Sequence, residues 1–128
     1  MDERGEQAPI LVVEDDVVLL EAVERSFQEA GWRVVACSTF EEGRQALRTQ
    51  HFTGLLTDVR LGAFNGLQLA VVARDLRPDM KLIVYSGFDD PVLRAEAQRI
   101  HAIYLVKPIS SAQLLHLFEA ETETSESK

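Results

Sequence analysis

Cysteine is almost absent: Cys37 is the only one in 128 residues. Neither an intrachain disulfide nor a thiolate zinc centre can be built from a single thiol. Long apolar runs are absent too. A run such as Ala102–Val106 is as long as they come, far short of the roughly 20 residues that cross a bilayer. The first residues, Met1 to Glu6, lack the positive start and apolar stretch of a secretory leader. Basic residues are the minority, 13 against 21 acidic ones, for a net charge of −8. That is a poor match to the basic footprint of nucleic-acid binding. Part of the acid sits at the ends, in Asp2, Glu3 and Glu6 and in Glu119, Glu121, Glu123 and Glu126, so the body between is only mildly acidic. The absences together lead us to expect a cytoplasmic protein with no membrane segment and no direct nucleic-acid contact.

What is present is ordinary: 46% hydrophobic and 27% charged residues, enough for one packed core. We expect a flexible segment over 1–8, a single domain over 9–120 and a free acidic tail over 121–128. Five apolar runs, Ile10–Val13, Val34–Cys37, Leu55–Leu56, Leu82–Tyr85 and Ala102–Val106, do not alternate with polar residues. They read as strands buried on both faces of a parallel sheet. Helical patterns separate them. Val17, Leu20, Val23, Phe27 and Ala30 share one face of a first helix stopped by Gly31. Thr39 caps a second, with Glu42 as capping-box partner and Phe40 and Leu47 inward. A third spans Leu67–Arg77 and ends at Pro78. A fourth spans Asp90–Ile100, with Pro91 in its first turn and Leu93, Ala97 and Ile100 inward. A fifth starts near Ser110 and carries Leu114, Leu117 and Phe118. Strand and helix alternating five times predicts an α/β domain with helices on both faces of the sheet.

In such a sheet, ligands bind beyond the carboxyl ends of the strands. Glu14, Asp15 and Asp16 follow the first run, Asp58 the third, Ser86 the fourth, and Lys107 and Pro108 the fifth. Singly each has a plain explanation: helix caps for the acids, a turn for Asp58 or for Ser86 and Gly87, a solvated charge for Lys107. Jointly they need four coincidences at four strand ends. Two unit charges about 4 Å apart repel by roughly 4 kcal/mol at an effective dielectric near 20. Several carboxylates in one cleft therefore take up protons or bind a cation, and oxygen donors suit Mg²⁺. A metal, a carboxylate nucleophile, a hydroxyl and an ammonium are the parts of a phosphoryl-transfer site, with an aspartyl phosphate as product.

The segments ILVVEDD at 10–16, LLTDVRL at 55–61 with Asn65 and Gly66, IVYSG at 83–87 and YLVKP at 104–108 resemble the receiver domain of two-component response regulators, the CheY-like superfamily. The resemblance covers about 9–120. It implies a flavodoxin-like fold, five parallel strands in order 2-1-3-4-5 with helices on both faces. It implies Asp58 as phosphoacceptor, and Mg²⁺ held by Glu14 (through water), Asp15, Asp58 and the Arg60 backbone carbonyl. Lys107, the Ser86 hydroxyl and the Gly87 amide would hold phosphoryl oxygens. Tyr104 would be the aromatic switch partner of Ser86, and Pro108 would carry a cis peptide bond. The output surface would be helix 4, strand 5 and helix 5. The implied partners are a sensor histidine kinase or histidine phosphotransfer protein and a downstream protein or output domain. The chain is then no enzyme beyond its own phosphorylation and dephosphorylation. Three positions depart from the commonest pattern: Gly62, where a proline is usual, and Arg60 and Phe88, which predict slow self-dephosphorylation.

Two other functions compete. The chain as the excised receiver of a larger DNA-binding regulator fits the same residues. A phosphatase of the haloacid dehalogenase type shares the nucleophile and metal but needs an acid two residues on, where Arg60 stands. A flavin carrier shares the fold order, yet three acids after the first strand repel a flavin phosphate. His51, His101 and His116 read as surface or edge residues. Leu114, Leu115, Leu117 and Phe118 give the fifth helix more apolar surface than one stripe needs. Both a homodimer or partner contact and simple packing remain open there.

Overall fold

The computed structural model describes residues 8–126, with side chains as far as Glu119. The expected N-terminal segment thus lies outside the described residues but for Ala8. Of the tail over 121–128 only a helical backbone to Glu126 is described. The elements are β1 (Ile10–Val13), α1 (Val17–Glu29), β2 (Val34–Cys37), α2 (Phe40–Thr49), β3 (Gly54–Asp58), α3 (Leu67–Leu76), β4 (Lys81–Ser86), α4 (Pro91–Arg99), β5 (Ile103–Val106) and α5 (Ser111–Glu126). The five strands pair in parallel in the order β2-β1-β3-β4-β5. This is the flavodoxin-like arrangement expected. One small hairpin, Arg60–Leu61 against Phe64–Asn65, sits between β3 and α3.

Strand residues point alternately to two cores, as the pleat requires. Leu11, Val13, Leu55, Leu82 and Val84 pack with Leu47 of α2, Leu69 and Ala73 of α3 and Ala97 of α4. Ile10, Val12, Leu56, Ile83 and Tyr85 pack with Leu20, Val23 and Phe27 of α1 and Leu114 and Phe118 of α5. The second core is aromatic at its centre: Phe118 meets Phe27 edge-on at 5.6 Å and Trp32 at 6.4 Å.

Helix ends follow their residues. Asp16, Thr39 and Asp90 cap α1, α2 and α4, each side chain accepting from first-turn amides. The Glu42 carboxylate reaches back to the Ser38 amide, one residue before the cap. α3 stops at Leu76. Arg77, at φ −142, is pushed out of helical conformation because Pro78 follows it.

Two packing expectations need correcting. Val17 does not face inward but is 53% exposed; it is the first helical residue, above the sheet's carboxyl edge, and burial begins one turn later at Leu20. β2 and β5 are not buried on both faces, since as edge strands they keep partly open residues.

Candidate functional site

The acids after β1, Asp58, Ser86, Gly87 and Lys107 end up at the carboxyl edge of β1, β3, β4 and β5, because each closes or follows a strand there, while Tyr104 lies inside β5. Asp58 is the last residue of β3 and only 6% exposed. Its Oδ1 accepts from the Arg60 amide at 3.1 Å and its Oδ2 from Lys107 Nζ at 3.0 Å. The same ammonium donates to Glu14 Oε1 at 3.2 Å. The three consecutive acids after β1 divide their tasks. Glu14 is fully buried, Asp15 is exposed, and Asp16 caps α1. Carboxylate oxygens of Glu14, Asp15 and Asp58 all lie within 4.8 Å of one another.

The electrostatics follow from burial against pairing. Burial pushes the Glu14 carboxyl above its usual range, against the opposing pull of the Asp16 amide and the Tyr85 hydroxyl. Burial alone would lower Lys107, but its hydrogen bond with Asp58 and the charges of Asp58 and Glu14 outweigh that and hold it above the ordinary lysine value. One ammonium faces three carboxyl groups, so the cleft has room for further positive charge. All three donors are oxygens, a set suited to a hard divalent ion such as Mg²⁺.

Ser86 closes β4 beside Asp58. Its hydroxyl oxygen accepts from the Phe88 amide at 3.2 Å, which leaves the hydroxyl proton to donate. Gly87 is exposed, with nothing within 4 Å of where a Cβ would stand. The Lys107–Pro108 peptide bond is cis. Tyr104 is buried, its hydroxyl donating to the Phe88 carbonyl at 2.8 Å. The Arg94 guanidinium covers its ring at 4.9 Å and is itself held by Asp89. Arg60 and Phe88 both stand at the mouth, the guanidinium 5.6 Å from the ring centroid.

Gly62 accounts for its departure from proline. Its φ of +61 is closed to proline, and its amide donates to Asp15 Oδ2 at 3.2 Å, which proline cannot do. Gly66 is required by proximity, because a Cβ there would stand 1.8 Å from the Asp58 carbonyl oxygen.

Sequence reasoning missed one member, Tyr85. Its hydroxyl donates to Glu14 Oε1 at 2.7 Å, and its ring lies 4.7 Å from Lys107 Nζ. The available signal was a lone phenol at the end of an aliphatic run. His51, His101 and His116 are exposed and away from the site, as expected.

Comparison with known proteins agrees with this geometry. The sequence profile of the response regulator receiver domain matches residues 10–119. The photosynthetic apparatus regulatory protein RegA of Cereibacter sphaeroides is 27% identical over 123 residues, covering 95% of this chain and 67% of RegA. Smaller shares of other curated relatives are spanned, down to 24% of the alginate biosynthesis transcriptional regulatory protein AlgB of Pseudomonas aeruginosa, which is 29% identical over 109 residues. A CheY-like receiver domain protein from Methanospirillum hungatei superposes with a TM-score of 0.86 at 26% identity, over 94% of this chain and 97% of that one. A response regulator from Burkholderia pseudomallei, solved with a phosphorylated aspartic acid and a calcium ion, shares the fold at TM-score 0.80 and 24% identity, over 94% and 73% of the two chains. Among the described residues no helix is long and apolar enough to cross a membrane.

Proposed function

This chain belongs to the response regulator receiver domains, and on that premise we propose that it is a phosphorylation-driven switch in two-component signalling, with Asp58 accepting a phosphoryl group from a histidine of a sensor kinase or phosphotransfer protein. The observation that carries this is the near-buried Asp58 carboxylate, held by Lys107 and grouped with Glu14 and Asp15 within 4.8 Å.

Asp58 is the nucleophile: an oxygen of its carboxylate forms the new bond to phosphorus as the bond to the donor nitrogen breaks. Lys107 is already on Asp58 Oδ2 and follows the charge onto a phosphoryl oxygen, a charge-assisted contact. The Ser86 hydroxyl and the Gly87 amide take another oxygen. Glu14, Asp15, Asp58 and the Arg60 carbonyl would hold Mg²⁺, which supplies neutralisation of charge on the transferring group. Asp15 is oriented for this by the Gly62 amide. Such a chain turns over no external substrate. Arg60 stands where a phosphomonoesterase of related chemistry needs its acid.

Drawing Ser86 toward the phosphoryl group pulls on the loop that its hydroxyl now holds through Phe88. The Phe88 carbonyl is also the acceptor of Tyr104. The signal thus reaches β5 and, through Arg94 over the Tyr104 ring, α4; with α5 these would form the surface for a downstream protein or a second copy of the chain. The greater length of the curated relatives favours a further reading of the output, a receiver joined to a DNA-binding domain.

Intact-mass measurement after incubation with acetyl phosphate tests the proposal. Wild type with Mg²⁺ gains one phosphoryl group; wild type without Mg²⁺, and Asp58→Asn with it, gain none. A folded wild type that stays unmodified refutes it.

A further inference from the structure

Tyr85 follows the aliphatic run Leu82–Val84 of β4, at the position whose register partner is Asp58. It is 1% exposed. Glu14, which accepts from its hydroxyl, stands at the end of β1, with β3 between the two. Neighbouring strands lie about 4.8 Å apart. An aliphatic side chain at 85 would stop short of Glu14, whereas a phenol spans the distance. On the way its ring provides the surface on which the Lys107 ammonium rests, 4.7 Å from the centroid.

Filling the core does not require the hydroxyl, since a phenyl ring occupies nearly the same volume. What the hydroxyl settles is where a fully buried carboxylate points. Glu14 Oε2 takes the Asp16 amide at 2.9 Å, while Oε1 takes both Tyr85 and Lys107. With the phenol in place the ammonium divides between Glu14 at 3.2 Å and Asp58 at 3.0 Å. Without it, the ammonium would be the sole donor to Oε1, and Glu14 would draw it away from Asp58.

We propose that Tyr85 is a positioning residue of this site: its hydroxyl pins Glu14 Oε1 and its ring seats Lys107, keeping the carboxylates arranged for a divalent cation and the ammonium on Asp58. Its use in the switch rests on the phosphoacceptor reading above; its hold on Glu14 rests on this chain's own contacts.

A double-mutant cycle on the full chain tests this, with wild type, Tyr85→Phe, Glu14→Leu, which removes the acceptor, and the pair. Two quantities are read: the dissociation constant for Mg²⁺ by calorimetry with magnesium chloride, and the melting midpoint in EDTA. Tyr85→Phe is expected to weaken Mg²⁺ roughly tenfold, the scale of one hydrogen bond to a charged group, and to lower the midpoint. In the Glu14→Leu background the Mg²⁺ effect falls below about twofold and the loss in midpoint shrinks, because the two residues act together. Equal losses in both backgrounds would reduce Tyr85 to packing and overturn the proposal, as would wild-type Mg²⁺ binding by Tyr85→Phe. A wild type that binds no Mg²⁺ would sink the phosphoacceptor reading instead. The metal-free melting cycle then decides alone whether Tyr85 holds Glu14.

Discussion

Cys37 shows how burial acts on a single side chain. It closes β2 at 7% exposure, and burial, then the charge of Glu42, pushes its thiol up from 9.0 to about 11. Below pH 9 the thiol is protonated whether the chain is folded or not. Between pH 9 and about 11 only the unfolded chain's thiol ionises, so stability falls as pH rises, by up to about 3 kcal/mol for a shift of this size. Urea midpoints are expected to drop more between pH 8 and 11 in wild type than in Cys37→Ala. At the cleft mouth the Arg60 guanidinium lies over Phe88, whose ring has no group to orient a water by hydrogen bonding. Arg60→Ala combined with Phe88→Glu is expected to shorten the lifetime of the phosphorylated form severalfold in a phosphate-release assay; an unchanged lifetime would show that the pair has no such part. Asp58, Glu14 and Lys107 were legible in the sequence because each closes or follows an apolar run. Tyr85 was not, since a tyrosine inside such a run reads as core, and only strand register sets it beside Asp58.

Among the elements, the hairpin after β3 matters most to the cleft. Two-residue strands carry no periodicity, so no sequence pattern foretells them; the structure supplies the reason for Gly62 instead. Its left-handed backbone turns the chain, and its amide holds Asp15. Gly62→Pro removes both and is expected to weaken Mg²⁺ binding severalfold by calorimetry. Gly62→Ala keeps the amide, has open space for its Cβ, and is expected to cost only about 1 kcal/mol of stability for the strained φ, with Mg²⁺ binding close to wild type. The cap at Thr39 was legible, because a side-chain acceptor before an apolar face has few other uses; at Asp90 the sequence pattern starts the helix one residue early, on the residue that in fact caps it. Edge exposure of β2 and β5 was not, because an unbroken apolar run looks the same at the centre of a sheet and at its margin.

Over the whole molecule, the α/β class was readable from alternation alone, while the strand order came from the resemblance. What neither supplies is the use of α5. Leu114 and Phe118 are consumed by the core, but Leu115 and Leu117 remain half-buried. Leu117 lines an apolar groove with Leu105, Ile109 and Ala112. If that groove joins two copies of the chain, light scattering will show a dimer for the protein carrying a phosphoryl mimic and a monomer for Leu117→Glu under the same conditions. A monomer in every state would assign the groove to another partner or to none.

The clasp on Tyr104 has a further consequence. Its ring lies under Arg94, which is tethered to Asp89 through an exposed pair with 39% and 66% of the two side chains open. Exposed ion pairs loosen as salt screens them. Added potassium chloride is therefore expected to loosen the cover on the Tyr104 ring more than it loosens the ion pair of Lys107 with Asp58, whose side chains are only 27% and 8% open.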